Sequence, residues 1–225
     1  MTVRVNLEPV YILHRRKYKE NSFIIDFFSE SYGKVRAISR SISKNRRSLV
    51  QPFTPYFASW TLKTELATLN NIEARGAALS LSQAKLICGF YINELIMKSI
   101  TFSDPFPDTF AAYESTLKNL ISCNNVEVPL RLFEKTLISE IGYAIPFEEV
   151  TSTTSPAGWY QYTPKSGLSP CNPEDARAIS YDTIINLQNN SIHTKQHLKE
   201  SKLLLKSALD EILKNTSIKS KMLWS

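Results

Sequence analysis

Hydrophobic positions change their period near Gly76. Before it, short runs rich in β-branched and aromatic residues recur: VYIL (10–13), SFIIDFF (22–28), KVRAISRSI (34–42), TPYFASWTL (54–62) and ELATLNNIEA (65–74). Such runs read as strands, and RRKYKEN, Gly33, SKNRRS and Gln51-Pro52 separate them. Five short strands in this length predict a small closed or nearly closed antiparallel barrel, of which the OB-fold is the common five-stranded example. Beyond Gly76 the spacing is helical. In SLSQAKLICGFYINELIMKSI (80–100), Leu81, Ala84, Ile87 or Cys88, Tyr91 and Leu95 fall on one face, with Ser80 or Ser82 as cap. DTFAAYESTLKNLI (108–121) and VPLRLFEKTLISEIGY (128–143) follow, the latter stopped near Gly142. NPEDARAISYDTIINLQ (172–188) predicts a helix capped by Asn172 with Pro173 in its first position. TKQHLKESKLLLKSALDEILKN (194–215) predicts the longest one. The fold class expected is α+β: an N-terminal five-stranded OB-fold barrel over 1–79, then an all-α domain over 80–225. Residues 146–171, rich in Pro, Ser, Thr and Gly, form a loop-rich insertion or short hairpin in it.

Charge divides along the same line. Residues 1–80 carry 13 Lys+Arg against 6 Asp+Glu, and residues 81–225 carry 14 against 15. Lys34, Arg36, Arg40, Lys44, Arg46 and Arg47 crowd into 14 residues, and no acid occurs between Glu30 and Glu65. An uncompensated positive field attracts polyanions, which points to nucleic acid. In the third strand, alternation places Lys34, Arg36 and Arg40 on one face and Val35, Ala37 and Ser39 on the other. That face and the SISKNRRS segment together resemble a groove wall for a phosphate backbone. Tyr32, Phe53, Tyr56, Phe57 and Trp60 alternate like core residues and are assigned to the core before any base stacking.

Other chemistries find little support. None of the six glycines builds a phosphate-cradling loop ending in Lys-Ser/Thr. Ser41-Ile-Ser-Lys44 matches the Ser-x-x-Lys pattern of acylating enzymes, without the companion motifs. His193 and His197 are four apart but enclose no general-base Glu, and they read as a solvated helix start. His14 has no visible acid partner and is at most a minor phosphate contact. Cys88, Cys123 and Cys171 are too few and too scattered for a four-Cys zinc site or a disulfide framework. The chain is therefore expected to be a non-enzymatic cytoplasmic protein with no cofactor, no metal and no membrane span.

Several segments, in order, resemble the RecO family of bacterial recombination mediators: VYILHRRKYKENSFIIDFFSESYGKVRAISRSI (10–42), LVQPFTPYFASW (49–60), GFYINELI (89–96) and LRLFEKTLISEIGY (130–143). The resemblance implies a nucleoid-associated protein of RecF-pathway DNA repair and recombination after DNA damage. Such proteins bind single- and double-stranded DNA through the OB domain and anneal complementary strands. With RecR they help load RecA onto DNA coated by single-stranded-DNA-binding protein, whose acidic C-terminal tail docks on the helical domain. Carried onto this sequence, the DNA-contact candidates are Arg15, Lys34, Arg36, Arg40, Lys44, Arg46 and Arg47. The tail-contact candidates are Arg131 and, more weakly, Tyr91. Some members carry a four-cysteine zinc site, which this chain lacks the residues to build. The alternative is a non-catalytic OB-fold module that binds RNA or an acidic protein.

Overall fold

The computed structural model describes residues 2–20, 22–39, 50–102, 104–152, 158–214, 218 and 220. Alternation of apolar and polar side chains through the first 74 residues folds them into five strands: β1 (Val3–Lys19), β2 (Ser22–Ser29), β3 (Gly33–Ser39), β4 (Pro55–Leu62) and β5 (Ala67–Ala74). They close into a barrel of order β1-β2-β3-β5-β4, with β4 pairing back onto β1. Every pairing is antiparallel except β3 with β5, where Ala37 faces Ala67 and Ile38 faces Thr68. The inward-facing residues include Val10, Ile12, Ile25, Phe27, Val35, Ala37, Tyr56, Ala58 and Trp60, and they form one buried cluster. This is the five-stranded OB architecture that the hydrophobic period predicts.

The first strand is much longer than VYIL. Its 17 residues pair with β4 through the N-terminal half and with β2 through the C-terminal half, so RRKYK is strand rather than separator. Three register irregularities bend it round the barrel, between Val5 and Glu8, Ile12 and His14, and Lys17 and Lys19. The β2–β3 turn depends on Gly33, whose φ is +60 and whose missing side chain leaves room for the Asp104 carbonyl.

Two helices complete this unit, α1 (Gln83–Ser99) and α2 (Pro107–Ser122). Tyr11 and Phe28 from the barrel pack against Phe110 and Tyr113 of α2, with ring centroids 5.1 Å apart for Tyr11–Tyr113 and 5.4 Å for Phe28–Phe110. Asn93 of α1 is buried, donates to the Leu13 carbonyl at 3.0 Å and accepts from the Tyr113 hydroxyl at 2.7 Å. The chain thus forms two compact units, Met1–Ser122 with Ile218–Ser225, and Cys123–Ser217.

The second unit contains α3 (Glu127–Ile138), a π-helical turn (Ser139–Tyr143), α4 (Phe147–Thr151), the strands β6 (Trp159–Thr163), β7 (Gly167–Pro170) and β8 (Ile179–Ser180), then α5 (Tyr181–Gln188) and α6 (Lys195–Ile212). The 146–171 insertion is a short helix followed by the β6–β7 hairpin. The helix expected from Pro173 starts instead at Tyr181. Residues 172–178 form turns, and Ser180 is the cap, its Oγ accepting from the Thr183 N–H at 3.2 Å. The Asn-Pro signal belongs to the turn, and the later Ser-x-x-Thr supplies the cap. Among the described residues no helix is long and apolar enough to cross a membrane.

Candidate nucleic-acid interface

On the barrel surface an open groove of about 900 Å³ runs between the β1–β2 turn and the β4–β5 loop. Lys19 and Ser22 line it from the first, and Lys63, Thr64 and Leu66 from the second. Arg4, Tyr18, Ile38, Thr61, Thr68 and Asn70 make its floor and sides. Three of these side chains are cations, and no carboxylate is among the described lining residues. Tyr18 is 51% exposed, with the Lys19 ammonium 5.7 Å from its ring centre. The floor is fixed by the barrel: Thr61 faces Thr68 across β4–β5, and Asn70 donates to Thr61 Oγ1 at 2.9 Å. In OB barrels the face between these two loops is the usual seat of oligonucleotides. Point charges for phosphates, hydroxyls for phosphate oxygens and one exposed ring for a base suit a single strand held without regard to sequence.

The sequence-predicted cations are distributed differently. Alternation correctly puts Lys34 and Arg36 on the outer face of β3, but that face is covered. Lys34 is buried, donates to the Met97 carbonyl at 2.8 Å, and lies 4.5 Å from the centre of the Phe102 ring. Burial pulls its amine down to about 8, with nearby Asp26 opposing the fall and Arg36 adding to it. Arg36 lies over the same ring at 5.0 Å and forks onto buried Asp26 at 2.6 and 3.3 Å. The expected phosphate contact at Lys34 is thus corrected: it fastens the end of α1 to the barrel. Arg36 is the partner that keeps Asp26 paired. Arg15 is exposed, donates to the Val50 carbonyl at 3.0 Å, and stands over Phe23. It does not line the groove. Arg40, Lys44, Arg46 and Arg47, with the Ser-x-x-Lys match, lie outside the described residues.

Sequence reasoning misses Arg4, Tyr18, Lys19 and Lys63. Tyr18 and Lys19 sit in the RRKYKEN segment, which reads as a separator, and Lys63 stands alone in TLKTEL. The rule that an OB barrel flanks its ligand face with the first and last hairpin loops would single out Lys19 and Lys63. The aromatics assigned to the core are mostly there: Phe53, Tyr56 and Trp60 are buried, and Tyr32 packs edge-on against Trp60 at 5.4 Å.

Three further expectations change. Arg131 on α3 is 6% exposed and donates to Glu134 Oε1 at 2.7 Å, and Tyr91 on α1 is buried at 5%. A guanidinium taken up by a carboxylate one helical turn away is a packing ion pair, so neither residue is presented as an open reader of a peptide carboxylate. His14 does have an acid nearby, Asp26 Oδ2 at 3.9 Å, because the β1–β2 register sets the two opposite each other. His197 is buried, not solvated. Its Nε2 lies 2.6 Å from Asp182 Oδ2, and its backbone N–H is capped by Thr194 Oγ1 at 3.0 Å. Among the described residues no group of three or more His, Cys, Asp or Glu could hold a metal ion.

Comparison with known proteins gives the same picture over nearly the whole length. The family model "Recombination protein O N terminal" matches residues 4–77, and "Recombination protein O C terminal" matches residues 82–222. The chain is 34% identical over 230 residues to the DNA repair protein RecO of Coxiella burnetii strain RSA 493, covering 99% of both chains. It is 33% identical over 227 residues to that of Methylococcus capsulatus, covering 98% of this chain and 93% of the relative. The corresponding protein of Nitrosococcus oceani is 34% identical over 227 residues, with 97% and 92% covered. The two models part between residues 77 and 82, where the hydrophobic period changes, whereas the compact units part after Ser122 because α1 and α2 pack on the barrel. With a five-stranded OB barrel, a basic groove between its two hairpin loops and two family models that span the sequence, the chain belongs to the RecO family of DNA repair proteins.

Proposed function

We propose that this chain is a recombination mediator that binds single- and double-stranded DNA through the barrel groove and anneals complementary strands. With RecR it helps load RecA onto single-stranded DNA, and its helical part docks on the tail of the single-stranded-DNA-binding protein that coats the strand. It works on the nucleoid as a binding protein and makes or breaks no covalent bond. The observation that supports this most is the groove: Arg4, Lys19 and Lys63 gathered on one OB face beside an exposed Tyr18, with no carboxylate among its described lining residues.

Each cation seated on a phosphate releases condensed counterions, so binding is driven by charge and is blind to sequence. The hydroxyls of Ser22, Thr61, Thr64 and Thr68 are donors for phosphate oxygens. Stacking on Tyr18 engages the face of a base and leaves its pairing edge open, which a protein that anneals strands requires. Arg40, Lys44, Arg46 and Arg47 enter this reading as further phosphate contacts on sequence grounds alone.

Fluorescence anisotropy of a labelled single strand, titrated at several salt concentrations, tests it. Lys19→Glu with Lys63→Glu should weaken binding about tenfold or more and lower the slope of log K against log[salt] by about 0.7 for each phosphate that is no longer neutralised. Isotherms that match those of the unmodified chain would overturn the groove assignment. Tighter binding of RNA than of DNA of the same sequence would redirect the reading to RNA.

A further inference from the structure

The second unit has a groove of its own. On α6, Lys195, Lys199, Lys202 and Lys206 recur at steps of four, three and four residues, which sets them in one row on the helix. All four are exposed. They line one side of a cleft of about 780 Å³, and Trp159 of β6 and Pro173 of the following turn line it too. The two acids in the lining are already engaged. Glu200 accepts from Ser180, Thr183 and Gln196 at 2.6–2.9 Å, and Asp175 accepts from the Asn172 N–H at 3.1 Å. Lys202 has Glu127 at 3.4 Å, whereas Lys195, Lys199 and Lys206 have no carboxylate partner among the described residues.

The row is about 16 Å long at a rise of about 1.5 Å per residue. A strand in B-form stacking places a phosphate about every 3.4 Å of axis, so the row covers at most about five phosphates, and fewer on the more extended backbone of an unpaired strand. A regular row of point charges matches a polyanion whose charges also recur regularly. Capture of single carboxylates favours the planar fork of arginine instead, and the row has none. Trp159, half-buried in the lining, adds the aromatic surface on which an unpaired base stacks. We propose that the α6 cleft is a second track for single-stranded nucleic acid, independent of the barrel groove, so that one chain holds two strands. The inference rests on the DNA-binding reading above for its choice of polymer, but on different residues.

Trp159 supplies the readout in the full chain. An oligothymidine titration should quench part of the tryptophan emission, and that part should disappear in Trp159→Phe. Replacing Lys195, Lys199 and Lys206 together by Gln should weaken the binding read at Trp159 about tenfold, with the far-ultraviolet circular dichroism unchanged. Lys19→Glu with Lys63→Glu should leave the Trp159 signal in place, which separates failure of the barrel reading from failure of this one. Quenching that survives the three glutamines would overturn the proposal. So would loss of the Trp159 signal in the barrel variant, or quenching by an acidic peptide and not by the oligonucleotide.

Discussion

Lys34 shows how a residue legible in type and face can be misread in role. Alternation along β3 assigns its face correctly, because Val35 and Ala37 fill the barrel. What alternation cannot say is that Met97 and Phe102, more than sixty residues further on, return to cover that face. The burial has a consequence in solution. Lys34 ionises near 8 when folded and at its ordinary 10.5 when unfolded, so between those values the unfolded chain binds a proton that the folded one has released. Its contribution to stability therefore rises with pH across that window and is flat well below it. Urea unfolding of the unmodified chain and of Lys34→Met, compared from pH 8 to 10, should show a smaller rise, or a steeper fall, in the variant. Parallel curves would mean that Lys34 is not desolvated. Tyr18 is the opposite case. Its type is plain, but its exposure at a groove depends on β1 running past the point where hydrophobic alternation stops being obvious.

At the scale of elements, the strands and the long helices are readable because each carries its own period, whereas starts and stops are set by contacts distant in sequence. The start of α5 is one such case. Asn172-Pro173 has the chemistry of a helix start, yet the helix begins at Tyr181, where Glu200 of α6 gathers the Ser180 N–H, the Ser180 hydroxyl and the Thr183 hydroxyl on one oxygen. Burial alone would raise the Glu200 carboxyl, but the hydrogen bonds from Thr183, Ser180 and Gln196 outweigh it and hold the group below its ordinary range. A depressed carboxyl stabilises the fold above its unfolded pKa, and that contribution is lost as pH falls through the folded value. Glu200→Gln should therefore cost about 1–3 kcal/mol at pH 7, the range for breaking a buried charged hydrogen-bond set. The deficit should narrow as the solution is acidified below pH 4.5, the ordinary value for this carboxyl. Chemical denaturation at pH 7 and pH 3.5 measures both, and an equal deficit at the two values would contradict the role assigned to Glu200.

Across the whole molecule, charge asymmetry points to a polyanion and to the N-terminal third, and the groove lies there. It does not identify the residues. The densest cationic run, from Arg40 to Arg47, lies outside the described residues, and of the cations expected to face solvent Lys34 is buried and half-buried Arg36 is paired with Asp26. The groove cations are instead brought together from positions 4, 19 and 63 by closure of the barrel, a long-range pairing of β1 with β2 and β4 that leaves no local mark in the sequence. The near-neutral remainder hides a second basic surface for a related reason. The lysines of α6 are offset in the total by acids elsewhere in the unit, and only the helical period lines them up. The central claim is that a single strand lies in the barrel groove between the two hairpin loops. Photocrosslinking a single strand substituted with 5-iodouracil to the full chain, followed by peptide mapping, tests it most directly. The account predicts crosslinks within residues 4–22 and 61–70, with Tyr18 prominent among them; a crosslinked chain with neither region labelled would contradict it.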